Sequence, residues 1–355
     1  MTDVSTPAAD AAPQNLSPWR FCVAPMLDWT DRPCRFFERL LTTRGRLYTE
    51  MVTTGAIRFG NRDQLLGNAR VKGPTALQLG GSDPRELAFA IEAAAPYGYD
   101  EFNLNCGCPS PRVQKGSFGA CLMLDAKLVA DCVRAMRDST DKPVTVKHRI
   151  GVDDRSDYAF VRDFVGEVYE AGCRTFIVHA RAAWLQGLSP KENREIPPLM
   201  RRRAWELKRD FPEATIVLNG AVKTTEECRE LLEEEHEGVR IDGVMVGRAA
   251  YQTPWMLSEV DSMLYGEPER SLTREAVIAA VEEEVKNFHA DDEHVIRAFA
   301  RHLNGLCQGL SGARAWRRTL ADPKVIREEG PNLYRTAWRE AFGGAWGAAG
   351  GAQED

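Results

Sequence analysis

Glu101-Phe102-Asn103-Leu104-Asn105-Cys106 reads as a β-strand that Gly107-Cys108-Pro109 brings to an abrupt stop. Alternate residues of a strand share a face, so Asn103 and Asn105 point one way and Phe102 and Leu104 the other. Gly107 and Pro109 restrict the backbone on either side of Cys108. A thiol held on a tight turn at a strand's C-terminal end, beside two amides, is placed like a catalytic group. A free cysteine also packs well as a small hydrophobe, and this stretch alone leaves both readings open. Beyond the turn, residues 126–138 have helical period, and Val144-Thr145-Val146-Lys147-His148-Arg149 reads as the next strand. Strand, helix, strand is the unit of a parallel sheet.

The same alternation extends in both directions. Short β-branched runs occur at 21–26, 47–52, 74–79, 175–181, 215–220 and 243–248, with amphipathic stretches at 84–95, 158–171 and 225–234. Ser82-Asp83 ahead of Pro84 marks a helix start, a cap followed by proline in the first turn. The connection between the second and third runs is the least regular. Eight strands alternating with helices predict a (β/α)8 TIM barrel of the α/β class, over residues 18–266. An open doubly wound sheet is the runner-up, but it usually carries a G-x-G-x-x-G turn, and none occurs. After Tyr265-Gly266-Glu267-Pro268 the period changes. Residues 271–289, 292–306 and a stretch from Ala313 read as helices, a small all-helical C-terminal domain over 267–340. Residues 1–17 and 341–355 read as loose tails.

Composition narrows the class. The net charge of −6 gives no general affinity for nucleic acid, so any basic surface must be local. No apolar run approaches the roughly 18 residues of a membrane span, and the N-terminus lacks the basic and apolar regions of a signal peptide. Nine cysteines, an odd number without a framework, favour a reducing cytoplasm. Cys106-x-Cys108 lacks zinc-type spacing, so no metal is expected.

A barrel places its chemistry at the C-terminal ends of its strands. Those ends carry Pro25-Met26, Glu50, Gln78, Asn105 with Cys108, Lys147, His179, Asn219-Gly220 and Gly247-Arg248. An isolated lysine inside a barrel is costly unless it meets an anion or an electron-rich ligand. A histidine such as His179 is usually a satisfied core residue, but beside Lys147 it reads as part of a site. The turns after the seventh and eighth strands commonly bind phosphate, with glycine allowing close approach and Arg248 adding charge. Gln114 to Ala120, with Gly116 and Gly119, reads either as a hinged lid over the turn or as a rigid loop. Residues 295–318 carry Arg297, Arg301, Arg314, Arg317 and Arg318 and no acid, which makes either a solvated helix face or a footprint for phosphates.

With these stretches in hand the chain resembles the tRNA-dihydrouridine synthases, most closely the bacterial A-type. The resemblance rests on Ala24-Pro25-Met26-Leu27-Asp28-Trp29-Thr30-Asp31, Tyr48-Thr49-Glu50-Met51, Ala76-Leu77-Gln78-Leu79-Gly80-Gly81, Asn105-Cys106-Gly107-Cys108-Pro109-Ser110, Val146-Lys147-His148-Arg149, Val178-His179-Ala180-Arg181, Asn219-Gly220 and Val246-Gly247-Arg248. The tail segment Gly312-Ala313-Arg314-Ala315-Trp316-Arg317-Arg318 adds to it. The family implies FMN in the barrel, NADPH as reductant, tRNA as partner through the helical domain, and reduction of uridine to 5,6-dihydrouridine in the D-loop. Carried over by motif, Pro25, Met26, Leu27, Gln78, Lys147, His179, Asn219, Gly220, Ala221, Gly247 and Arg248 would hold FMN. Cys108 would be the proton donor, and Asn105, Lys191 and Arg194 would meet the RNA. Arg314 and Arg317 join these as expected phosphate contacts. The resemblance implies no protein partner, and a monomer is expected. Two positions depart from the family pattern: Cys106 stands where an apolar residue is common, and Ala221 where Gly or Asp is usual.

Chemistry fits this expectation. The C5–C6 bond of uracil is conjugated with the C4 carbonyl, so hydride adds at C6 and C5 then needs a proton. An ordinary thiol, with a pKa near 8.5, is mostly protonated at neutral pH and can supply it. The rival is an FMN barrel that reduces a free pyrimidine or another small enone, which would not need an arginine-rich helical tail.

Overall fold

The computed structural model describes residues 16–68, 72–290 and 292–343. The tails expected at 1–17 and 341–355 fall, apart from a few inner residues, outside that range. Eight parallel strands close into a barrel: β1 (Phe21–Val23), β2 (Arg46–Thr53), β3 (Thr75–Gly80), β4 (Glu101–Cys106), β5 (Val144–Arg149), β6 (Thr175–His179), β7 (Thr215–Asn219) and β8 (Gly243–Val246). β8 returns to β1 in the register Phe21↔Val244, so the sheet has no edge. β4 and β5 span the residues expected from sequence; β1, β6, β7 and β8 end one to three residues earlier because the chain turns as soon as it reaches the barrel mouth.

Period-two alternation sorts the side chains into two compartments. Val23, Leu47, Leu77, Leu104, Cys106, Val146, Val178 and Val244 face outward and bury against the helices. Cys22, Ala24, Tyr48, Ala76, Ile177, Val217 and Met245 form a separate cluster inside the barrel. The outer helices start where short polar side chains cap them. Asp83, Asp125, Asp157 and Thr224 each accept a backbone N–H from the first turn that follows. The irregular connection between β2 and β3 holds two short helices, Thr54–Phe59 and Arg62–Leu66.

Past the barrel, Arg274–Phe288, Glu293–Leu303, Ala313–Ala321, Pro323–Glu329 and Leu333–Phe342 form a helical bundle around the buried Trp316 and Tyr334. Helix Glu293–Leu303 packs on helix Arg32–Leu41, with Phe36 and Phe299 edge to face at 5.8 Å. Charged contacts continue that junction. Asp31, in the β1 loop, takes His302 Nε2 at 2.8 Å and Arg301 at 3.0 Å, and the other His302 nitrogen meets Tyr251 at 3.1 Å. The helical bundle is thereby tied to a loop at the barrel mouth. Among the described residues no helix is long and apolar enough to cross a membrane.

Candidate active site

The barrel core is polar along β4, and the polarity is ordered. Glu101, fully buried at the base, accepts from Trp19 Nε1 and Tyr48 OH at 2.7 Å each and pairs with Arg46 at 3.2 Å. Thr145 donates to the same carboxylate, and Asn103 Nδ2 donates to Thr145 at 2.7 Å. Gln78 Nε2 donates to Asn103 at 2.8 Å, and Asn105 Nδ2 to Gln78 at 2.9 Å. Asn105 Oδ1 then accepts the N–H groups of Gly107 at 3.1 Å and Cys108 at 3.0 Å. A continuous hydrogen-bonded chain therefore fixes the backbone of the turn that carries Cys108. It consumes most of the capacity of two expected site residues: Asn105 keeps one free N–H, and Gln78 one N–H and one lone pair.

The turn separates the two thiols. Cys106 is fully exposed to neither solvent nor lumen; it packs toward the outer helices, and burial pushes its pKa well above the ordinary thiol value. Cys108 lines a cavity of about 2000 Å³ at the barrel mouth. Gly107 ends the strand period, so the residue two further on does not follow Cys106 into the core. The segment after it is tied down: Ala120 N–H donates to the Cys108 carbonyl at 2.9 Å, and Gln114 Nε2 donates to the carbonyls of Pro109 and Leu185 at 2.8 and 2.7 Å.

The same cavity gathers Pro25, Met26, Leu27, Gln78, Asn105, Lys147, His179, Arg194, Asn219, Gly220, Ala221, Gly247 and Arg248. Register explains the ring: Asn105 pairs with Lys147, Arg149 with His179, and His179 with Asn219 on successive strands. Among the described residues no carboxylate pairs with Lys147. Burial, reinforced by Arg149, pulls its ammonium down to about 7. The same causes, burial first and then Arg149 and Lys147, hold His179 neutral, well below its ordinary range. Arg149 itself is structural, donating to the carbonyls of Gly107 at 3.1 Å and Asn193 at 2.9 Å. The wall around Lys147 and His179 thus carries a local excess of positive charge, which a bound anion or electron-rich ring would offset.

At the seventh strand's end, Gly220 has φ +142° and Ala221 φ +54°. Both line the cavity, as does Gly247, which follows the neighbouring strand and starts a short helix. Arg248 is engaged by Glu195 at 2.6 Å, so an incoming phosphate has to displace a carboxylate there. The left-handed conformation of Ala221 costs a non-glycine residue about 1–2 kcal/mol, while glycine's extra freedom in the unfolded chain returns about 0.4–1 kcal/mol. Ala221→Gly should therefore raise unfolding stability by about 0.5–1 kcal/mol in a denaturant titration; a loss of stability would show that the methyl group packs usefully.

Other expected contacts lie apart. Lys191 is exposed on the loop after β6 but outside the cavity lining, whereas Arg194 lies inside it. Arg314 and Arg317 are exposed on one side of helix Ala313–Ala321, away from the cavity. Of the five arginines, Arg297 pairs with Glu293 and Arg301 with Asp31, which leaves the positive character on the second half of the strip. The cavity also contains residues to which the sequence assigned no role. Arg112 and Lys223 add positive charge to its wall. Glu50 accepts the N–H of Asp28, a non-glycine residue at φ +64°, and so holds the Pro25–Leu27 turn in place. The signal for Glu50 was its position at a strand end; its partner across strands was not readable.

Comparison with known proteins places this geometry. A family model described as dihydrouridine synthase matches residues 22–342. The chain is 53% identical over 308 residues, 86% of its length and 90% of the relative's, to a tRNA-dihydrouridine(20/20a) synthase of Salmonella typhimurium. It is 53% identical to the protein of that name from Shewanella oneidensis, covering 90% of this chain and 93% of the relative. For the one from Pseudomonas aeruginosa the identity is 51%, with 89% and 92% covered.

Proposed function

We propose, from the premise that this chain belongs to the dihydrouridine synthase family, that it reduces uridine to 5,6-dihydrouridine in tRNA, at positions 20 and 20a as its relatives are named. The observation that carries the reading is the convergence on one cavity of Cys108, two glycine-bearing turns and Lys147, with which no carboxylate among the described residues pairs. These residues fit FMN: Gly220, Ala221, Gly247 and Arg248 offer backbone and charge to a phosphate, and Pro25, Met26, Leu27 and Gln78 line the wall beside Lys147. A bound flavin, reduced by NADPH, would supply hydride chemistry for addition at C6 of uracil. Lys147 stabilises negative charge next to the ring system, and neutral His179 can donate or accept a hydrogen bond without adding charge. Cys108 gives its proton to C5, and Asn105 both orients that thiol's backbone and offers its remaining N–H to a carbonyl of the base. Lys191 and Arg194 contact the RNA beside the mouth. The base must leave its stack to reach Cys108, at a cost of a few kcal/mol that RNA contacts offset. Residues 18–266 and 267–340 divide the work as catalytic barrel and tRNA-binding bundle. A monomer in the cytoplasm, where its nine free thiols stay reduced, completes the reading.

The direct test is mass spectrometry of tRNA digests with and without the protein, with the modified position mapped; unchanged dihydrouridine at 20 and 20a would refute it. The bundle's part is tested by charge. Arg314 and Arg317 are exposed and three residues apart on one helix, so both can approach phosphates. Arg314→Glu with Arg317→Glu should weaken tRNA binding about tenfold or more and lower the salt slope by about two, leaving NADPH-driven flavin reduction intact. Parental affinity and slope would make this a solvated helix face.

A further inference from the structure

We infer that Trp184 is a stacking platform for an unpaired nucleobase flanking the uridine that enters the cavity, an inference that rests on the tRNA reading above. Trp184 lies on the loop after β6 and is 45% exposed, although it is a large aromatic. Among the described residues no aromatic ring stacks on it and its indole N–H has no hydrogen-bond partner. Single exposed aromatics are common on protein surfaces, so exposure alone says little. The backbone beneath this one is different. Trp184 N–H donates to Asn193 Oδ1 at 2.7 Å, and its carbonyl accepts from Asn193 Nδ2 at 2.9 Å. Asn193 is itself completely buried. Leu185 is held in the same way: its N–H donates to Asp153 at 2.8 Å and its carbonyl accepts from Gln114 at 2.7 Å.

Two of these supports lead back to the catalytic turn. Gln114 also donates to the Pro109 carbonyl at 2.8 Å, one residue after Cys108. The Asn193 carbonyl accepts from Arg149, whose Nε reaches the Gly107 carbonyl at 3.1 Å, one residue before Cys108. The exposed indole is therefore braced to both sides of the proton donor. Surface loops ordinarily keep their freedom. Here the buried Asn193 and the half-buried Gln114 and Asp153 fix the backbone under an indole that remains in water, an order that a group packing on the indole would use. When one base leaves a stack, its neighbour loses a partner; an indole offers a π-face of the right size and tolerates any base. Arg194, next to Asn193, lines the cavity and supplies charge for the adjoining phosphate. Held at a fixed offset from Cys108, Trp184 would help select which uridine is presented.

The experiment uses the full-length flavin-loaded protein and an unmodified tRNA transcript, with flavin content as the check on folding. Trp184→Ala should weaken tRNA binding about 5- to 100-fold while the salt slope stays parental, because no phosphate contact is lost. Trp184→Phe should recover most of the affinity and Trp184→Leu should not. Quenching of tryptophan emission by tRNA should shrink in Trp184→Phe even though binding persists. Parental affinity in Trp184→Ala, or equal rescue by Leu and Phe, would overturn stacking. A parent protein that bound no tRNA would overturn the tRNA reading and this inference with it.

Discussion

Cys108→Ala should cut dihydrouridine formation by about a hundred- to ten-thousandfold, the range a positioned general acid contributes. Flavin content and NADPH oxidation should persist, because the variant removes only the proton that C5 requires. The neighbouring thiol supplies the control. Cys106 is as close in sequence as Gly107 allows, but it is buried against the outer helices, where burial holds it protonated and no substrate reaches it. Cys106→Ala should therefore change stability and leave the rate per folded enzyme near parental. Cys108→Ser keeps a proton and a similar size but offers a weaker acid, so it should recover little. Product made by the parent in deuterated water should carry deuterium at C5, whether or not exchange at the reduced flavin also labels C6. A Cys108→Ala protein turning over at the parental rate, or a Cys106→Ala protein with the larger defect, would move the donor elsewhere.

This pair of cysteines marks how far sequence carries. The alternation of β4 was readable, and it correctly separated Asn103 and Asn105 from Phe102 and Leu104; Cys106 falls on the face of the latter pair. A strand continued through Gly107 would have set both thiols on one face; the turn breaks that period. Strand ends were readable because a barrel opens at the C-terminal ends of its strands, and Gln78, Lys147, His179 and Asn219 meet at one cavity. Contacts made at long range were not. The pair Arg248–Glu195 spans 53 positions, and nothing near Arg248 announces it. The arginine strip appears free of acid locally, but Arg301 is matched by Asp31, 270 positions away, and Arg297 by Glu293 just before the strip. A charge count along the chain cannot register a partner brought in by the fold, as Asp31 is for Arg301, and one that starts at Val295 also leaves out Glu293. The loop of Trp184 shows the same limit, since its supports come from Gln114, Asp153 and Asn193.

Lys147 should give two effects of opposite sign. In the proposed flavin site its ammonium would be the charged donor, and a hydrogen bond to a charged group is worth about 1.5–3 kcal/mol. Lys147→Met should then weaken FMN binding about ten- to a hundredfold, measured by quenching of flavin fluorescence. Without ligand the same ammonium is a burden. Burial, then Arg149, lowers its pKa from 10.5 to about 7 in the folded protein. Between those values the unfolded chain binds the extra proton, so this group makes the flavin-free protein more stable as pH rises from about 7 toward 10.5. Below pH 7 both states carry the proton and the full cost of burying it remains. Flavin-free Lys147→Met should therefore be more stable than the parent at pH 6, and the difference should shrink through that window. The methionine is close in length and removes the charge, so the comparison isolates the ammonium from the packing of its stem. A variant that binds FMN like the parent would remove Lys147 from the flavin site. One that is less stable than the parent at pH 6 would mean that the chain itself already satisfies the ammonium, and the excess charge at the mouth would no longer argue for an anionic or electron-rich ligand.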